Sequence, residues 1–325
     1  MEKTEAQALM LENRIRKRFR HLRKWAKRIG TDAFRLYNRD IPEIPLVVDY
    51  YGQWVSAALY QRPYEKDEAE ERHWLAAMTQ AIAAGLELPE SQVFLKERKR
   101  QRGKNQYQKL RDTQVVRQVR EGGLTFQVNL SDYLDTGLFL DRRKARDLLR
   151  KEAAGKRVLN LFAYTCSFSV YAAAGGAQEI DSVDLSNTYL DWGKLNFRLN
   201  GFEAGSRYRF IAAETEDFLR RGIRNRRTWD SIILDPPSFS NSKKMTGALD
   251  IRRDYKRLIS QSLEVLDKKG TLWFSANAKG FRLNPAEFPE LHIENLQPLI
   301  IDEDFIGKKI PSCYKISRSA PLARS

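Results

Sequence analysis

The chain has 325 residues, 42% of them hydrophobic, which fits one large domain or two ordinary ones and excludes a globally disordered chain. Fifty-seven Lys and Arg against 42 Asp and Glu leave a net charge of +15, which indicates a polyanionic partner, nucleic acid above all. Two cysteines and three histidines are too few for a disulfide framework or a zinc cluster, so we expect no metal. With no apolar run long enough for a membrane span and no secretory signal, we expect a cytoplasmic protein and no membrane partner.

The first part of the chain is strongly basic. Residues 11–39 hold eleven Lys and Arg against two acids, a net charge of +9. Five apolar residues recur there at spacings of three, four and seven, which predicts a helix with one apolar stripe: Leu11, Ile15, Leu22, Trp25 and Ile29. Like charges on neighbouring turns repel, which favours phosphate contact over the alternative of a solvated surface helix. The cations assigned to RNA here are Arg16, Lys17, Arg20 and Lys24.

A hairpin, a helix and a second basic run follow. Val47–Tyr51 and Trp54–Tyr60 are rich in β-formers and flank Gly52-Gln53, which predicts the hairpin, and 67–85 is predicted to be a helix. Residues 96–111 hold eight Lys and Arg against one acid, which predicts a loop or strand edge on a phosphate backbone. A flexible solvated loop is the alternative. The cations assigned to RNA outside the first helix are Arg98, Arg100, Arg102, Lys104, Lys243 and Lys244.

From about residue 155, strand-like and helix-like segments alternate. The predicted strands are Val158–Phe162, Ile180–Leu185, Tyr208–Ala213, Trp229–Leu234, Thr271–Ser275, Ile293–Ile301 and Cys313–Ser317. Helices are predicted from Ser167 and over 187–199, 214–222 and 251–266. This pattern predicts an α/β fold whose seven-stranded, mostly parallel sheet ends in an antiparallel hairpin. The expected divisions are a smaller basic α+β RNA-binding region (1–110), a connecting β segment (111–154), the α/β domain (155–317) and a disordered tail (318–325).

Open α/β sheets bind ligands at the carboxyl ends of their strands, so these ends are the candidate site. Asp184 after the second strand suits the two hydroxyls of a ribose. Glu214 after the third suits an amino group, or the amino terminus of a helix, or both. The first strand lacks a G-x-G-x-x-G run, which disfavours NAD and FAD. Asp235-Pro236-Pro237 fixes a rigid turn that leaves carbonyl acceptors in the cleft, beside Phe239, which could stack on a base.

Three long motifs carry a family resemblance: R-Q-R-G-K-N-Q-Y-Q-K-L (Arg100–Leu110), D-Y-L-D-T-G-L-F-L-D-R-R (Asp132–Arg143) and D-P-P-S-F-S-N-S-K-K-M (Asp235–Met245). With N-L-F-A-Y-T after the first strand, they resemble the RlmK half of the bifunctional RlmKL 23S rRNA methyltransferases, over about residues 10–317. The resemblance implies a Rossmann-like fold, the cofactor S-adenosylmethionine, and guanine-N7 methylation of 23S rRNA or its assembly intermediate during ribosome biogenesis. The RlmL half is absent, which leaves open a separate partner that supplies it.

The resemblance also implies roles for individual residues. On the methionine side and in the loop it places Phe139, Asp141, Arg143, Asn160, Phe162, Tyr164 and Thr165 at the cofactor. Asp184, Leu185, Ser186, Glu214 and Asp235 complete the cofactor set, and Asp235, Pro236, Pro237 and Phe239 form the catalytic cleft. The family's loop reads Y-T-G where this chain has Cys166 after Thr165. If that position needs positive φ or close cofactor approach, a side chain there predicts weaker cofactor binding or an altered loop.

The residues allow several chemistries. Guanine N7 has a free lone pair and no proton to lose, so its methylation needs in-line positioning and no general base. Cytosine C5 methyltransferases that resemble this architecture use a cysteine nucleophile at the fifth strand, where this chain has Ala276. Exocyclic-amine methylation favours an aromatic directly after the prolines; Ser238 stands there, and Phe239 keeps that alternative open. A non-catalytic rRNA-binding assembly factor is the alternative from another class, and titration with S-adenosylmethionine separates it from an enzyme.

Overall fold

A computed structural model describes residues 2–60, 67–98, 115–133, 135–241 and 247–318. The chain divides into two compact units. Unit 1 comprises Met1–Leu140 and Glu303–Lys308, and unit 2 comprises Asp141–Asp302 and Lys309–Ser325. The division at Leu140 falls inside the segment 111–154 that the sequence analysis treats as a connection.

Unit 1 is an α+β unit. Its helices and strands are α1 (Lys3–Ile29), β1 (Ala33–Asn38), β2 (Leu46–Tyr51), β3 (Trp54–Tyr60), α2 (Glu68–Leu86), β4 (Val93–Arg98), β5 (Val116–Glu121) and β6 (Leu124–Asn129). The first three strands form an antiparallel meander, and β4 pairs in parallel with β3 after the crossover through α2. The predicted hairpin is confirmed: Tyr51 pairs with Trp54 around Gly52 and Gln53, whose φ values of 51° and 80° fit the left-handed turn that hairpins prefer.

The apolar stripe of α1 explains how this charged helix docks. Leu11, Ile15 and Leu22 are fully buried in the core of unit 1, as predicted. Ile29 was wrongly included, since it is 37% exposed. The helix ends there because Gly30 takes φ 68°, a left-handed cap, and the remainder of the basic stretch forms β1.

Unit 2 is the α/β unit. Its elements are α3 (Arg143–Glu152), β7 (Arg157–Leu161), α4 (Ser167–Ala174), β8 (Glu179–Asp184), α5 (Asn187–Leu199), β9 (Tyr208–Ala212), α6 (Thr215–Arg224), β10 (Trp229–Leu234), β11 (Phe239–Ser240), β12 (Leu249–Asp250), α7 (Ile251–Glu264), β13 (Leu266–Ala276), β14 (Leu291–Asn295), α8 (Gln297–Ile300) and β15 (Ser312–Arg318). The large sheet has the order β14-β15-β13-β10-β7-β8-β9. The five strands from β13 to β9 are parallel, and β15 and β14 form the antiparallel edge. The predicted seven-stranded, mostly parallel sheet is confirmed.

The last strands show one error. The predicted strand Ile293–Ile301 is wrong in its second half, because β14 ends at Asn295 and Gln297–Ile300 is the short helix α8. Pro298 is the physical reason. It has no backbone N–H to donate to a sheet, yet the first turn of a helix tolerates it.

Candidate functional site

The register of the parallel strands places the predicted acids along one edge of the large sheet. Leu161, Val183, Leu234 and Phe274 are aligned across β8, β7, β10 and β13. Each is fully buried, so the hydrophobic core extends along the strands as far as this row. The residues that follow the row lie at the carboxyl ends of the strands. They include Asp184 and Asp235, which the sequence analysis assigned to the site.

The Asp184 carboxylate accepts hydrogen bonds from two separate backbone segments. Its Oδ2 accepts a hydrogen bond from the Tyr164 amide and its Oδ1 one from the Ser186 amide, both at 2.9 Å. Burial raises the pKa of the Asp184 carboxyl above its ordinary value, and the amides of Ser186, Tyr164 and Leu185 oppose that rise. The carboxylate therefore fixes the loop after β7 relative to the turn after β8. Because a carboxylate has about four acceptor positions, roughly two remain for ligand hydroxyls.

The loop after β7 adopts an unusual backbone. Phe162, Tyr164 and Cys166 all have positive φ, at 55°, 50° and 61°. Cys166 therefore has the positive φ that was named as a condition for weaker cofactor binding or an altered loop. Glycine adopts this backbone conformation more easily than cysteine. The thiol is fully buried. It packs on Gly193 of α5: a Cβ built on that glycine would lie 2.9 Å from the Cys166 Cβ and closer still to its Sγ. The missing side chain at Gly193 therefore makes the room that Cys166 occupies, a partner that sequence analysis missed.

Other predicted loop residues have structural partners as well. Asn160 is buried and donates to Ser169 Oγ at 2.9 Å, and the Thr165 carbonyl accepts from the Asn196 amide group at 2.9 Å. The Tyr164 ring packs edge-on against Tyr189, with 4.6 Å between ring centroids. These contacts place the backbone of the loop at the sheet edge. Asn160 and Thr165 therefore help to position the loop, whether or not they also contact a ligand.

Glu214 and Ser186 both cap helices. Glu214 precedes α6 and accepts from the Asp217 amide at 2.9 Å. Ser186 precedes α5, and its hydroxyl accepts from the Tyr189 amide at 3.3 Å. Leu185 lies half-buried between Asp184 and Ser186. The helix-terminus interpretation of Glu214 is therefore confirmed, and a ligand amino group would have to use its remaining acceptor positions.

Asp235 is paired with Arg142, a residue that sequence analysis missed. Arg142 Nε donates to Asp235 Oδ2 at 3.0 Å and Nη2 to Oδ1 at 2.8 Å, a bidentate ion pair. Arg142 is 5% exposed and its Nη1 has no hydrogen-bond partner among the described residues. Burial alone would lower the pKa of this guanidinium, but Asp235 and Asp141 outweigh it and raise the pKa. Arg142 stays charged and the pair is a fixed part of the strand end.

Arg143, the neighbour of Arg142 in the chain, binds a different aspartate. Arg143, which the resemblance placed at the cofactor, is buried and donates from Nη1 to Asp302 at 3.0 Å. Asp141 is partly exposed, with its Oδ1 4.0 Å from Arg142 Nη1. Phe139 belongs to unit 1 and is 42% exposed. Two adjacent arginines with different partners cannot be told apart from sequence spacing alone.

The proline turn has one buried and one exposed end. Pro236 is buried, Pro237 and Ser238 are half-buried, and Phe239 is 42% exposed. The Ser238 carbonyl accepts from the Ile251 amide at 3.2 Å, which ties the turn to the start of α7. Phe239 pairs with Asp250 in the short ladder between β11 and β12. The turn is thereby fixed while one aromatic ring stays accessible at the sheet edge.

Neither cysteine is arranged as a nucleophile. Burial raises the pKa of both thiols, to about 12 for Cys313. Cys313 lies opposite Ser275 in the antiparallel ladder between β13 and β15 and is buried. A thiol with this pKa carries almost no thiolate at neutral pH, so it would be a poor nucleophile.

The outer face of α1 carries the basic residues predicted to contact RNA. An open groove of about 520 Å³ is lined by Asn13, Arg16, Lys17, Arg20, His21 and Lys24. Lys17, Arg20 and Lys24 are exposed, whereas Arg16 is half-buried and pairs with Glu12 at 2.6 Å. The remaining predicted RNA contacts, Arg100, Arg102, Lys104, Lys243 and Lys244, lie outside the described residues, as does the side chain of Arg98.

The described residues contain neither a cluster of metal ligands nor a membrane-spanning helix. In the ranges that the structure covers, no group of three or more His, Cys, Asp and Glu could hold a metal ion. Among the same residues, no helix has the length and apolar character needed to cross a membrane.

The chain resembles known methyltransferases over most of its length. Residues 34–295 match the model of a family described as S-adenosylmethionine-dependent methyltransferase. The chain is 44% identical to the ribosomal RNA large subunit methyltransferase K of Neisseria meningitidis, over 94% of the chain and 86% of that protein. It is 45% identical to the K/L methyltransferase of Saccharophagus degradans, spanning 96% of the chain but 42% of that longer protein. The resemblance to the K half is thus confirmed.

A solved structure shares the fold. A crystal structure of a protein described as a methyltransferase, complexed with SAH, superposes with a TM-score of 0.73 at 26% identity, covering 95% of this chain and 81% of that one. The Rossmann-like methyltransferase fold and the cofactor S-adenosylmethionine, both expected from the motifs, are confirmed. The comparisons lend no support to a separate partner that supplies the missing half.

Proposed function

The chain belongs to the S-adenosylmethionine-dependent methyltransferase family, and we propose that it methylates guanine N7 in large-subunit ribosomal RNA. The substrate class follows from the names of the relatives that it matches over almost its full length. The strongly basic composition agrees with a nucleic-acid substrate. The choice of N7 rests on the arrangement around Asp235.

The described residues fit the cofactor. S-adenosylmethionine supplies the methyl group on a sulfonium, and the chain has to hold and orient it. Asp184 would accept the ribose hydroxyls with the lone pairs that the Tyr164 and Ser186 amides leave free. The backbone between Phe162 and Cys166 would lie along the cofactor. Its positive φ values are present even though Cys166 stands where the family has glycine. Glu214 and Asp141 remain proposed contacts for the adenine amine and the methionine group.

The observation that carries N7 over other positions is the bidentate Arg142–Asp235 pair. An exocyclic amine is best oriented by an acceptor that takes its protons. The bidentate pair occupies two of about four acceptor positions of Asp235 and compensates its charge, which makes this carboxylate a weaker acceptor for such an amine. Guanine N7 needs no acceptor and no base, only a fixed position in line with the sulfonium. Pro236, Pro237 and the exposed Phe239 ring would hold the base against the turn.

Cytosine C5 methylation is disfavoured by the end of β13. Ala276 is buried at the position where such enzymes carry a cysteine. The nearest thiol, Cys313, is buried and has its pKa raised to about 12. Position 276 at the end of β13 therefore carries no cysteine that could form a covalent enzyme–RNA intermediate.

The product test follows directly. We expect the protein, incubated with protein-free 23S rRNA transcripts and labelled S-adenosylmethionine, to yield 7-methylguanosine on digestion to nucleosides, as measured by mass spectrometry. 5-Methylcytidine or an N-methylated exocyclic amine would contradict the proposal. Cofactor binding without any methylated nucleoside would instead favour the non-catalytic assembly factor.

We also propose that the outer face of α1 is an RNA grip. Its exposed cations lie on one side of the helix, opposite the buried stripe, and each phosphate contact releases counterions. Replacing Arg16, Lys17, Arg20 and Lys24 by Gln should weaken RNA binding and flatten the log–log salt slope by roughly two to four units. The slope is measured by filter binding at a series of salt concentrations.

A matched control removes the same charge elsewhere. Arg224, Arg226, Lys268 and Lys269 are exposed near the amino ends of β10 and β13, away from the carboxyl edge of the sheet. Their quadruple Gln variant should keep most of the wild-type slope. If the two variants change the slope equally, α1 has no special part in RNA binding and is a solvated helix.

A further inference from the structure

The unused nitrogen of Arg142 suggests how the base is recognised. Arg142 is more than nine-tenths buried, and two of its three guanidinium nitrogens are bound to Asp235 at 3.0 and 2.8 Å. The third, Nη1, is buried and has no hydrogen-bond partner among the described residues. Asp141 Oδ1 lies 4.0 Å from this nitrogen, which is beyond hydrogen-bond distance. A buried cationic donor without an acceptor is costly, and an incoming acceptor would relieve that cost.

The position of the pair says where the acceptor comes from. Asp235 is the first residue after β10 and precedes the buried Pro236, so it lies at the carboxyl edge of the sheet. Its side chain is 18% exposed, so the pair reaches the surface of the cleft on the aspartate side. The proposed function puts the target base against this same turn.

The acceptors on one edge of guanine match the single donor nitrogen that the Arg142–Asp235 pair leaves without a partner. N7 and O6 lie side by side on one edge of guanine, and both are acceptors. An arginine with its fork free tends to bind both atoms at once, which would occupy the N7 lone pair that must attack the methyl group. In Arg142 the fork is taken by Asp235, and a single donor nitrogen is left.

We propose that Arg142 is the specificity-determining residue of this methyltransferase, and that its Nη1 donates a hydrogen bond to O6 of the target guanine. This inference rests on the proposed N7 activity and deepens it. One donor on O6 orients the base and leaves the N7 lone pair free. Adenine presents an amino group in the place of O6, so a donor would meet a donor and the base would be rejected.

The test pairs a change in the protein with a change of one atom group in the substrate. A 23S rRNA fragment that contains the guanine methylated by the wild-type protein is prepared with either guanine or 2-aminopurine at that position. 2-Aminopurine keeps N7 and lacks O6. For the wild type we expect 2-aminopurine to lower kcat/KM by about 10- to 100-fold, the size of one hydrogen bond from a charged donor. Arg142→Met removes the donor, so this variant should be slow on guanine and lose less than about threefold more on 2-aminopurine.

The chain contains a close control. Arg157 binds Asp230 at the other end of β10 with the same geometry, Nε to Oδ2 at 3.0 Å and Nη2 to Oδ1 at 2.7 Å. Arg157→Met should keep the full discrimination against 2-aminopurine. If Arg142→Met is unstable, the double variant Arg142→Met, Asp235→Asn removes both charges together, and it should lose the discrimination as well.

The outcomes separate this inference from the function on which it rests. Equal penalties for 2-aminopurine in the wild type and Arg142→Met would show that Arg142 is merely structural and overturn the inference, as would equal wild-type rates on the two fragments. Failure of the wild type to form 7-methylguanosine in any fragment would overturn the proposed function itself.

Discussion

Gly193→Ala should destabilise the protein by about 1–3 kcal/mol, although alanine is ordinarily the better helix residue. The added methyl group would lie 2.9 Å from the Cys166 Cβ and closer to its Sγ, inside van der Waals contact. Neither atom can move freely, because the Cys166 Cβ is fixed by the backbone of the loop and its thiol is fully buried. The expected readout is a lower midpoint of thermal unfolding, with weaker S-adenosylmethionine binding because the same loop is proposed to lie along the cofactor.

The partner substitution should reverse the sign of this effect. In a Cys166→Gly background the methyl group added by Gly193→Ala gains the space of the thiol, and helix propensity should then favour alanine by about 0.5–1 kcal/mol. Cys166→Gly also removes a left-handed non-glycine residue, which relieves about 1–2 kcal/mol of backbone strain. Gly205→Ala is the control, because nothing lies within 4 Å of the Cβ that it adds. Additive effects of the two changes would contradict the compensation between Cys166 and Gly193.

The sequence correctly predicts that the candidate acids lie at the strand ends, because strand ends are local features. Asp184 and Asp235 were found because each follows a buried apolar run, and in a parallel sheet such positions meet at one edge. Glu214 was found for the same reason, with its helix-capping role foreseen as an alternative. Positive φ after Thr165, one of the two conditions considered for that position, is present at Cys166.

The residues that were missed are those whose role depends on a partner distant in sequence. Gly193 lies inside α5 and gives no signal by itself, since its function is to leave room where Cys166 needs it. Arg142 lies beside Arg143 in one motif, and only the structure shows that the first pairs with Asp235 and the second with Asp302. Pro298 carried a local signal that was available and overlooked, and it accounts for the misassigned end of β14.

Asp184→Ala should weaken S-adenosylmethionine binding by more than about tenfold. The change removes the acceptor that we propose for the ribose hydroxyls, at about 1.5–3 kcal/mol for each hydrogen bond to a charged group. It also releases the Tyr164 and Ser186 amides, which the carboxylate holds at 2.9 Å, so the loop is expected to loosen. Calorimetric titration measures the affinity, and circular dichroism establishes that the variant is folded. Unchanged affinity in a folded variant would contradict the cofactor site at this strand end.

The pH dependence of folding stability and of cofactor affinity distinguishes the contribution of the Asp184 charge from that of its side-chain shape. Burial raises the pKa of this carboxyl in the folded protein. Its contribution to folding stability is therefore present below the ordinary Asp pKa and is lost as the pH rises through the raised value. Cofactor binding should depend on pH in the opposite sense, because the ionised carboxylate is the better acceptor, so affinity should fall as the pH drops toward the raised pKa. Asp184→Asn keeps the shape and cannot ionise, and we expect its weaker binding to lose this pH dependence; an Asn variant with the wild-type pH profile would assign the titration to another group.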